Sequence, residues 1–466
     1  MQLTYKVNDK PQFSKLLVFA LQQLLAILAA TIAVPAVINA AVPAANMSQS
    51  AALFGAGVGT IVYLLFTRFR SPVFLGSSFA FIGSMLAAFA GGVSMSVGYL
   101  GLMIGAVFAG LVYVIIALLV RKFGVAWISK LMPPVVIGPT VAIIGLSLAG
   151  NAIGDFKSGA SINGTVLASP YVAIICGLVT LFTVVLCSVY GKKMAKLIPF
   201  ILGILAGYIV AAIFTGIGYA ASVDALKVID FTKFQHMQWY PDFTFLKAFS
   251  GNYDFNGSNF GAYLGTIAVA YVPVAFVVFA EHIADHKNLS SVIGKDLLED
   301  PGLDKTLLGD GVGSAVGAFF GGCPNTTYGE SVGCVAITGN ASVVTILATA
   351  IMAIVASFVA PFVTFLATIP ACVMGGVCIT LYGFIAVSGL KMVQKVDLGQ
   401  NKNLFTVSVI LIAGIGGLSL SFGKITITSV ACALILGIIT NLLVSRKADE
   451  PTESDSVAEE KNDSEN

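Results

Sequence analysis

Charge is what this 466-residue sequence has least of: 10% of its residues are Asp, Glu, Lys or Arg, whereas 57% are hydrophobic. Soluble domains carry about 25% charged residues, so this composition excludes an ordinary soluble protein. A mean hydropathy of +0.93 places the chain among proteins that cross a membrane many times. Its seven cysteines (Cys176, Cys187, Cys323, Cys334, Cys372, Cys378 and Cys432) are scattered, and none forms a CxxC. That pattern supports neither a disulfide framework nor a zinc site. No GxxxxGK[ST] occurs, so ATP-driven pumping by a P-loop has no support within the chain. No nucleophile stands beside a base and an orienting partner, which weighs against a membrane enzyme. The net charge of +2 says nothing about partners, and neither nucleic acid nor a cofactor is expected. Glycine, by contrast, is abundant at 49 residues, which fits close helix packing and broken helices. The N-terminus is too polar for a cleaved signal peptide, so the first apolar helix is expected to be retained.

Two carboxylates stand out against this background. Glu281 ends the stretch 255–280, which contains no Asp, Glu, Lys or Arg. From Gly261 onward that run is long enough to cross a bilayer as a helix. A carboxylate in such a helix costs roughly 2.5–3.5 kcal/mol on insertion scales, so it usually faces a polar cavity and serves function. Glu330 lies in Pro324-Asn325-Thr326-Thr327-Tyr328-Gly329-Glu330, a polar break inside another apolar region. The alternative is that both are solvated residues at helix ends. For Glu281, the polar residues His282, Asp285 and Lys287 that follow could mark such an exit.

Hydropathy divides the chain into fourteen segments, near 16–40, 51–67, 73–91, 97–120, 131–150, 169–190, 196–218, 260–284, 306–322, 325–339, 342–368, 371–390, 403–421 and 425–445. Basic residues cluster before the first segment and after the second, fourth, sixth, eighth, twelfth and last. An even count puts all of these on one side, leaving only Lys157, Lys227, Lys233, Lys247 and Lys424 opposite. By the positive-inside rule both termini are then cytoplasmic. The long loop 219–259 carries Trp239-Tyr240, which reads as an anchor at the outer interface, with Trp127 a counterpart on the inside. Beyond 445 the acidic, polar tail 446–466 is expected to be disordered in the cytoplasm.

The two halves echo one another. Pro134-Val-Val-Ile-Gly138 opens the fifth segment and Pro370-Ala-Cys-Val-Met-Gly375 the twelfth. The break Gly76-Ser77-Ser78-Phe79-Ala80-Phe81 in the third segment corresponds to 324–330 in the tenth. Seven segments per half is odd, so the repeats, 16–218 and 260–445, must be inverted. Inverted repeats with paired broken helices are a secondary-transporter architecture, with substrate at the breaks. Chance similarity among apolar segments is the alternative.

A neutral cyclic imide or amide presents N–H donors beside C=O acceptors. Carboxylates such as Glu281 and Glu330 accept the N–H groups with charge-assisted strength, while backbone N–H groups at a broken helix meet the carbonyls. Burial raises a carboxyl pKa, so one such residue can bind substrate and carry a proton. Phe79 and Phe81 lie in a Gly/Ser-flanked break, where an aromatic ring either stacks on a flat ligand or packs the core. His282 and His286 share a helix face, but HExxH and a third ligand are missing, so a helix-end hydrogen-bond network is expected rather than zinc. His236 carries no specific signal.

At these residues the chain resembles the nucleobase–ascorbate transporter family (nucleobase:cation symporter-2), on its bacterial uracil permease branch. The likeness rests on Leu21-Gln22-Gln23-Leu24 with Ala29-Ala30-Thr31, Gly76-Ser-Ser-Phe-Ala-Phe81, Ala280-Glu281-His282, Lys295-Asp-Leu-Leu-Glu-Asp-Pro-Gly302 and Asn325-Thr-Thr-Tyr-Gly-Glu330. It covers nearly the whole chain apart from the tail. The resemblance implies an all-α polytopic fold of fourteen segments in two inverted repeats, split into core and gate domains. Short antiparallel strands would meet around Ser77–Phe81 and Asn325–Gly329, in segments 3 and 10. It also implies that Glu281 and Glu330 bond the base, Phe79 packs on its ring, and backbone near Ala30, Tyr328 and Gly329 completes the pocket.

Three departures accompany the likeness. Gln22-Gln23 stands where many relatives have Gln-His. Asp285, with His286 one further, stands where uracil permeases often have a histidine four residues after the glutamate. The family motif beginning Gln/Glu/Pro-Asn reads Glu330-Ser331-Val332-Gly333 and ends Thr338-Gly339. Glu330 itself favours the uracil branch over the xanthine/urate branch, which more often has Gln there. Proton coupling is expected at Glu281, with Asp285 and His286 as further candidates; sodium is the other coupling ion of the family. The expected partners are uracil or a related nucleobase, the coupling ion and the lipid bilayer, and a homodimer is compatible with the chain. Competing readings are a purine permease, an anion exchanger, which two carboxylates oppose, and a channel or membrane-embedded receptor.

Overall fold

A computed structural model describes residues 3–445 except 125, 126, 128–132, 163, 164, 193, 238, 423 and 424. The acidic tail, Lys130, Lys193 and Lys424 therefore lie outside the described residues. The first half contains α1 (Phe13–Ala41), α2 (Gln49–Phe66), β1 (Leu75–Ser77), α3 (Ile82–Phe89), α4 (Met95–Phe123), α5 (Pro134–Ser147) and α6 (Ala149–Phe156). A small hairpin, β2 (Ser161–Ile162) and β3 (Thr165–Val166), leads to α7 (Pro170–Tyr190), α8 (Met194–Leu197) and α9 (Pro199–Ala220). The long loop carries α10 (Thr244–Phe249). Then follow α11 (Phe260–Ile293), α12 (Leu303–Gly321), β4 (Asn325–Thr327), α13 (Gly329–Thr338), α14 (Val343–Ala356), α15 (Ala360–Thr368) and α16 (Ala371–Val393). The chain closes with α17 (Asn401–Ile415), the hairpin β5 (Leu420–Phe422) and β6 (Ile425–Ile427), and α18 (Ser429–Ser445).

The protein is thus mostly helical and of polytopic membrane type. Among the described residues, eight helices are long and apolar enough to cross a bilayer, and α14 with α15 forms a ninth candidate bent by 83°. Sequence reading anticipated strands in two segments only. The hairpins β2–β3 and β5–β6 are additional, each being two or three residues per strand and too short for a periodic signal.

One expected boundary moves with consequence for function. Helix α11 opens on Asn259, whose side chain accepts from Ala262 N (2.7 Å), and does not stop near 284 but runs 34 residues to Gly294, at φ +69°. Glu281 is therefore well inside a continuous helix, and the reading of it as a helix-exit residue fails. The polar residues 282–287 did not end the helix because their partners lie within the protein. His282 Nδ1 lies 2.7 Å from Asp310 Oδ2 and its Nε2 3.0 Å from Thr306 Oγ. His286 Nδ1 donates to His282 O (2.8 Å), and its Nε2 lies 2.7 Å from Tyr63 Oη. Both histidines are fully buried, so their network is internal and not at a helix end.

Packing falls into two sets of helices. Helices α1–α4 and α11–α14 pack chiefly on one another, as do α5, α7, α9, α16, α17 and α18. In the first set α2 and α12 touch backbone to backbone through Gly55 and Gly59 against Gly313, Gly317 and Gly321. A Cβ on Gly59 would sit 2.7 Å from Gly313 O, so the four-residue glycine spacing is what allows this approach. At one connection of this set, Asp300 bridges Lys295 (2.7 Å) and Arg70 (2.8 Å). Those two cations hold its carboxyl down at about 2.

Candidate substrate site

The two broken segments meet as an antiparallel strand pair, with Leu75 opposite Thr327, Gly76 opposite Thr326 and Ser77 opposite Asn325. Unpaired backbone inside a membrane protein must find partners within the chain, which is why each break needs the other. Neighbouring helices fix the pair. Thr60 Oγ accepts from Leu75 N (2.9 Å), Asn325 Nδ2 donates to Gly55 O (2.9 Å), and Ser78 N donates to Pro324 O (2.9 Å). Gly76 is required locally, because the Tyr328 ring occupies the place of any Cβ there. The same tyrosine donates its hydroxyl to Ser77 O (2.7 Å) and so ties the end of β4 to β1.

Beside this pair lies a cavity of about 450 Å³. Its wall from the first helix set includes Ala26, Phe79, Glu281, Asp285, Tyr328, Gly329 and Glu330. The second set contributes Val141, Ile144, Phe200, Leu381, Phe384 and Ile385. Lys196 of α8, with Ser188, Ser388 and Met392, also lines it. The cavity therefore lies where the two sets face one another. It is mostly apolar with a few convergent polar groups, the usual constitution of a small-molecule site.

Each acidic residue reaches the cavity for a local reason. Glu281 and Asp285 are four apart on α11 and so share one of its faces, while His282 and His286 lie about a quarter turn round the helix and face away from the cavity. Asp285 Oδ2 accepts from Thr327 Oγ (2.8 Å), which joins α11 to β4. Glu330 is the second residue of α13, and Gly329 the first. The first N–H groups of a helix have no intrahelical acceptor, so the start of α13 offers donors at the cavity wall beside a carboxylate. Next to Glu330, Ser331 Oγ accepts from Gln23 Nε2 (2.6 Å) and from Phe74 N (3.3 Å). That serine binds α1, the approach to β1 and α13 together.

Of the residues expected in the pocket, Glu281, Glu330, Phe79, Tyr328, Gly329 and Asp285 gather at one cavity. Ala30 is buried but does not line it; Ala26, one turn earlier on α1, takes that place. His286 is also apart, held against Tyr63. Sequence reasoning missed Thr327 and Gln23, whose roles depend on partners far away in the chain. It also missed Asp310, fully buried against His282, although a lone acid within Gly309-Asp310-Gly311 was visible by the criterion that singled out Glu281. Tyr382 was likewise unforeseen: its ring meets Phe79 edge-on at 5.8 Å across the two helix sets.

Phe79 is buried and presents itself to the cavity from the turn after β1. If its ring covers a flat ligand, Phe79→Ala should weaken binding by on the order of 1–3 kcal/mol, as for base–aromatic stacking elsewhere. Phe79→Tyr should be tolerated better. Titration of both variants with the ligand checks this, and equal defects would assign Phe79 to packing.

Comparison with known proteins fits this geometry. A model of the permease family matches residues 14–421. The chain is 38% identical to the uracil permease of Bacillus caldolyticus over 94% of both chains. It is 36% identical to that of Bacillus subtilis (strain 168) over 96% of this chain and 97% of the relative. With the uracil permease of Escherichia coli (strain K12) it shares 32% identity over 94% of this chain and 93% of the relative. Among solved structures, the transmembrane domain of a cyanobacterium bicarbonate transporter, BicA, has the same fold, with a TM-score of 0.59, 17% identity, and 94% and 100% coverage of the two chains. Murine Slc26a9, an anion transporter in the inward-facing state, aligns with a TM-score of 0.61 and 13% identity over 94% of this chain and 69% of its own. Matched over most of its length by the family model and by these relatives, the chain belongs to the permease family and is a multi-pass membrane transporter, not an enzyme.

Proposed function

We propose that the protein imports uracil across the cytoplasmic membrane, driven by protons, through alternating access at the cavity between its two helix sets. The observation that carries this reading is the convergence of Glu281 and Glu330 on one cavity, beside Phe79 and the start of α13. Uracil presents ring N–H donors and carbonyl acceptors on one flat ring. The carboxylates take the N–H groups, the backbone donors near Gly329 take a carbonyl, and the Phe79 ring covers a face. The likeness to uracil permeases over nearly the full length supports the choice of base.

In this reading the chain comprises fourteen segments in two inverted repeats, 16–218 and 260–445. The first helix set is the core domain and the second the gate, and both termini are cytoplasmic. The protein works in the bilayer as one chain or as a homodimer. Glu281 holds the coupling proton, and Asp285, four residues on and bonded to Thr327, is its nearest successor on the same face. His286 is not placed to exchange protons directly with the cavity. The anion-transporter fold relatives do not redirect the substrate, because two carboxylates and an aspartate at the site oppose an anion.

Counterflow tests the carrier mechanism. Proteoliposomes preloaded with unlabelled uracil should take up labelled uracil transiently above its equilibrium level, which a channel does not do. A panel of labelled bases in the same vesicles tests the substrate. Preferential uptake of xanthine would transfer the protein to the purine branch.

A further inference from the structure

The connection between α13 and α14, from Gly339 to Ser342, is buried, yet its backbone is not part of either helix. Its polar groups find their partners in the first residues of the chain. Thr4 N and Tyr5 N donate to Gly339 O (2.8 and 3.2 Å), Ala341 N donates to Tyr5 O (2.9 Å), and Val343 N donates to Val7 O (3.0 Å). Tyr5 and Asn340 form a parallel bridge, and Ser342 Oγ donates to Asp9 O (2.6 Å). This segment is braced in turn. Lys6 N donates to Asp9 Oδ2 (2.7 Å), and the Tyr5 ring meets Phe19 of α1 edge-on at 5.9 Å.

Helix α13 has only ten residues, too few to hold its own position. Its start is tied to α1 through Gln23 and Ser331, and its end is tied through residues 4–9. Both ties come from the first two dozen residues of the chain. Without this segment, Gly339 O, Ala341 N and Val343 N would lose these partners, so the connection would have to find new ones and carry α13 with it.

We infer that residues 3–9 form a clasp that sets the position of Glu330 by fixing the far end of α13, so that clasp closure and substrate binding are coupled. This rests on the reading of Glu330 as a substrate ligand. Coupling is reciprocal: if the clasp improves binding, bound substrate must close the clasp. A segment that merely stabilised the fold would gain only the protection that ligand binding gives the whole protein.

The test uses the full-length protein, a variant lacking residues 2–9, and Ser342→Ala as a milder change. Uracil binding is measured by calorimetry, and backbone hydrogen exchange is followed with and without uracil. The clasp predicts a Kd raised about tenfold by the deletion and by a smaller factor in Ser342→Ala. It also predicts that saturating uracil slows exchange at Thr4, Tyr5, Ala341 and Val343 in the full-length protein by a larger factor than at helix amides of α7 and α9; an equal factor at both overturns it. An unchanged Kd in the deletion variant, or exchange at those four amides that ignores uracil, overturns it. Should the deletion variant fail to fold, the exchange result decides. Glu330→Gln measured alongside separates the two ideas: normal binding there overturns the site reading and the clasp together, whereas lost binding there with a normal deletion variant overturns the clasp alone.

Discussion

Glu330→Gln is expected to weaken uracil binding by about ten- to a hundredfold and to stop uptake. The estimate follows from the loss of a charge-assisted hydrogen bond, roughly 1.5–3 kcal/mol. The amide keeps an acceptor oxygen but turns an NH2 donor toward the ligand's own donors, so the substitution adds a repulsive contact as well. The helix should survive the change, because Glu330 faces the cavity while Ser331, its neighbour, makes the structural bonds to Gln23 and Phe74. Calorimetry on the purified variant checks the prediction. Near-normal affinity would remove Glu330 from the site.

The second large effect is expected at Glu281. Glu281→Gln fixes a state that resembles the protonated carboxyl, so the loaded site can reorient but cannot release a proton. Accumulation against a gradient should be lost while exchange of labelled for unlabelled uracil persists in part. This split between driven uptake and exchange is the signature of a coupling residue, since a general folding defect would abolish both. Accumulation by the variant that remains fully proton-driven would pass the role to Asp285, which shares the cavity-facing side of α11 and is bonded to Thr327.

The sequence made the site legible where chemistry conflicts with its surroundings. Glu281 and Glu330 are charges in apolar segments, and Phe79 and Tyr328 lie in polar or glycine-bearing breaks. Those conflicts are local and can be seen without a fold. The positions that stayed hidden resolve their conflict across the chain. Gln23 reaches Ser331, 308 residues away, and Thr327 reaches Asp285, 42 residues away, and neither partner can be read from the residue's own segment. The full length of α11 is hidden for the same reason: His282 and His286 read as a helix-end hydrogen-bond network until Asp310, Thr306 and Tyr63 are brought against them. Along α1 it is Ala26, one turn before Ala30, that lines the cavity, a difference that depends on the rotation of that helix and has no local signal.

Proton-driven uracil accumulation in proteoliposomes tests the central claim most directly. With an acidic exterior, labelled uracil should concentrate inside, and a protonophore should collapse the gradient. Glu281→Gln and Glu330→Gln vesicles should fail to accumulate under the same conditions. Accumulation that ignores pH and follows an imposed sodium gradient would contradict the proton assignment, and no uracil uptake under either gradient would contradict the account as a whole.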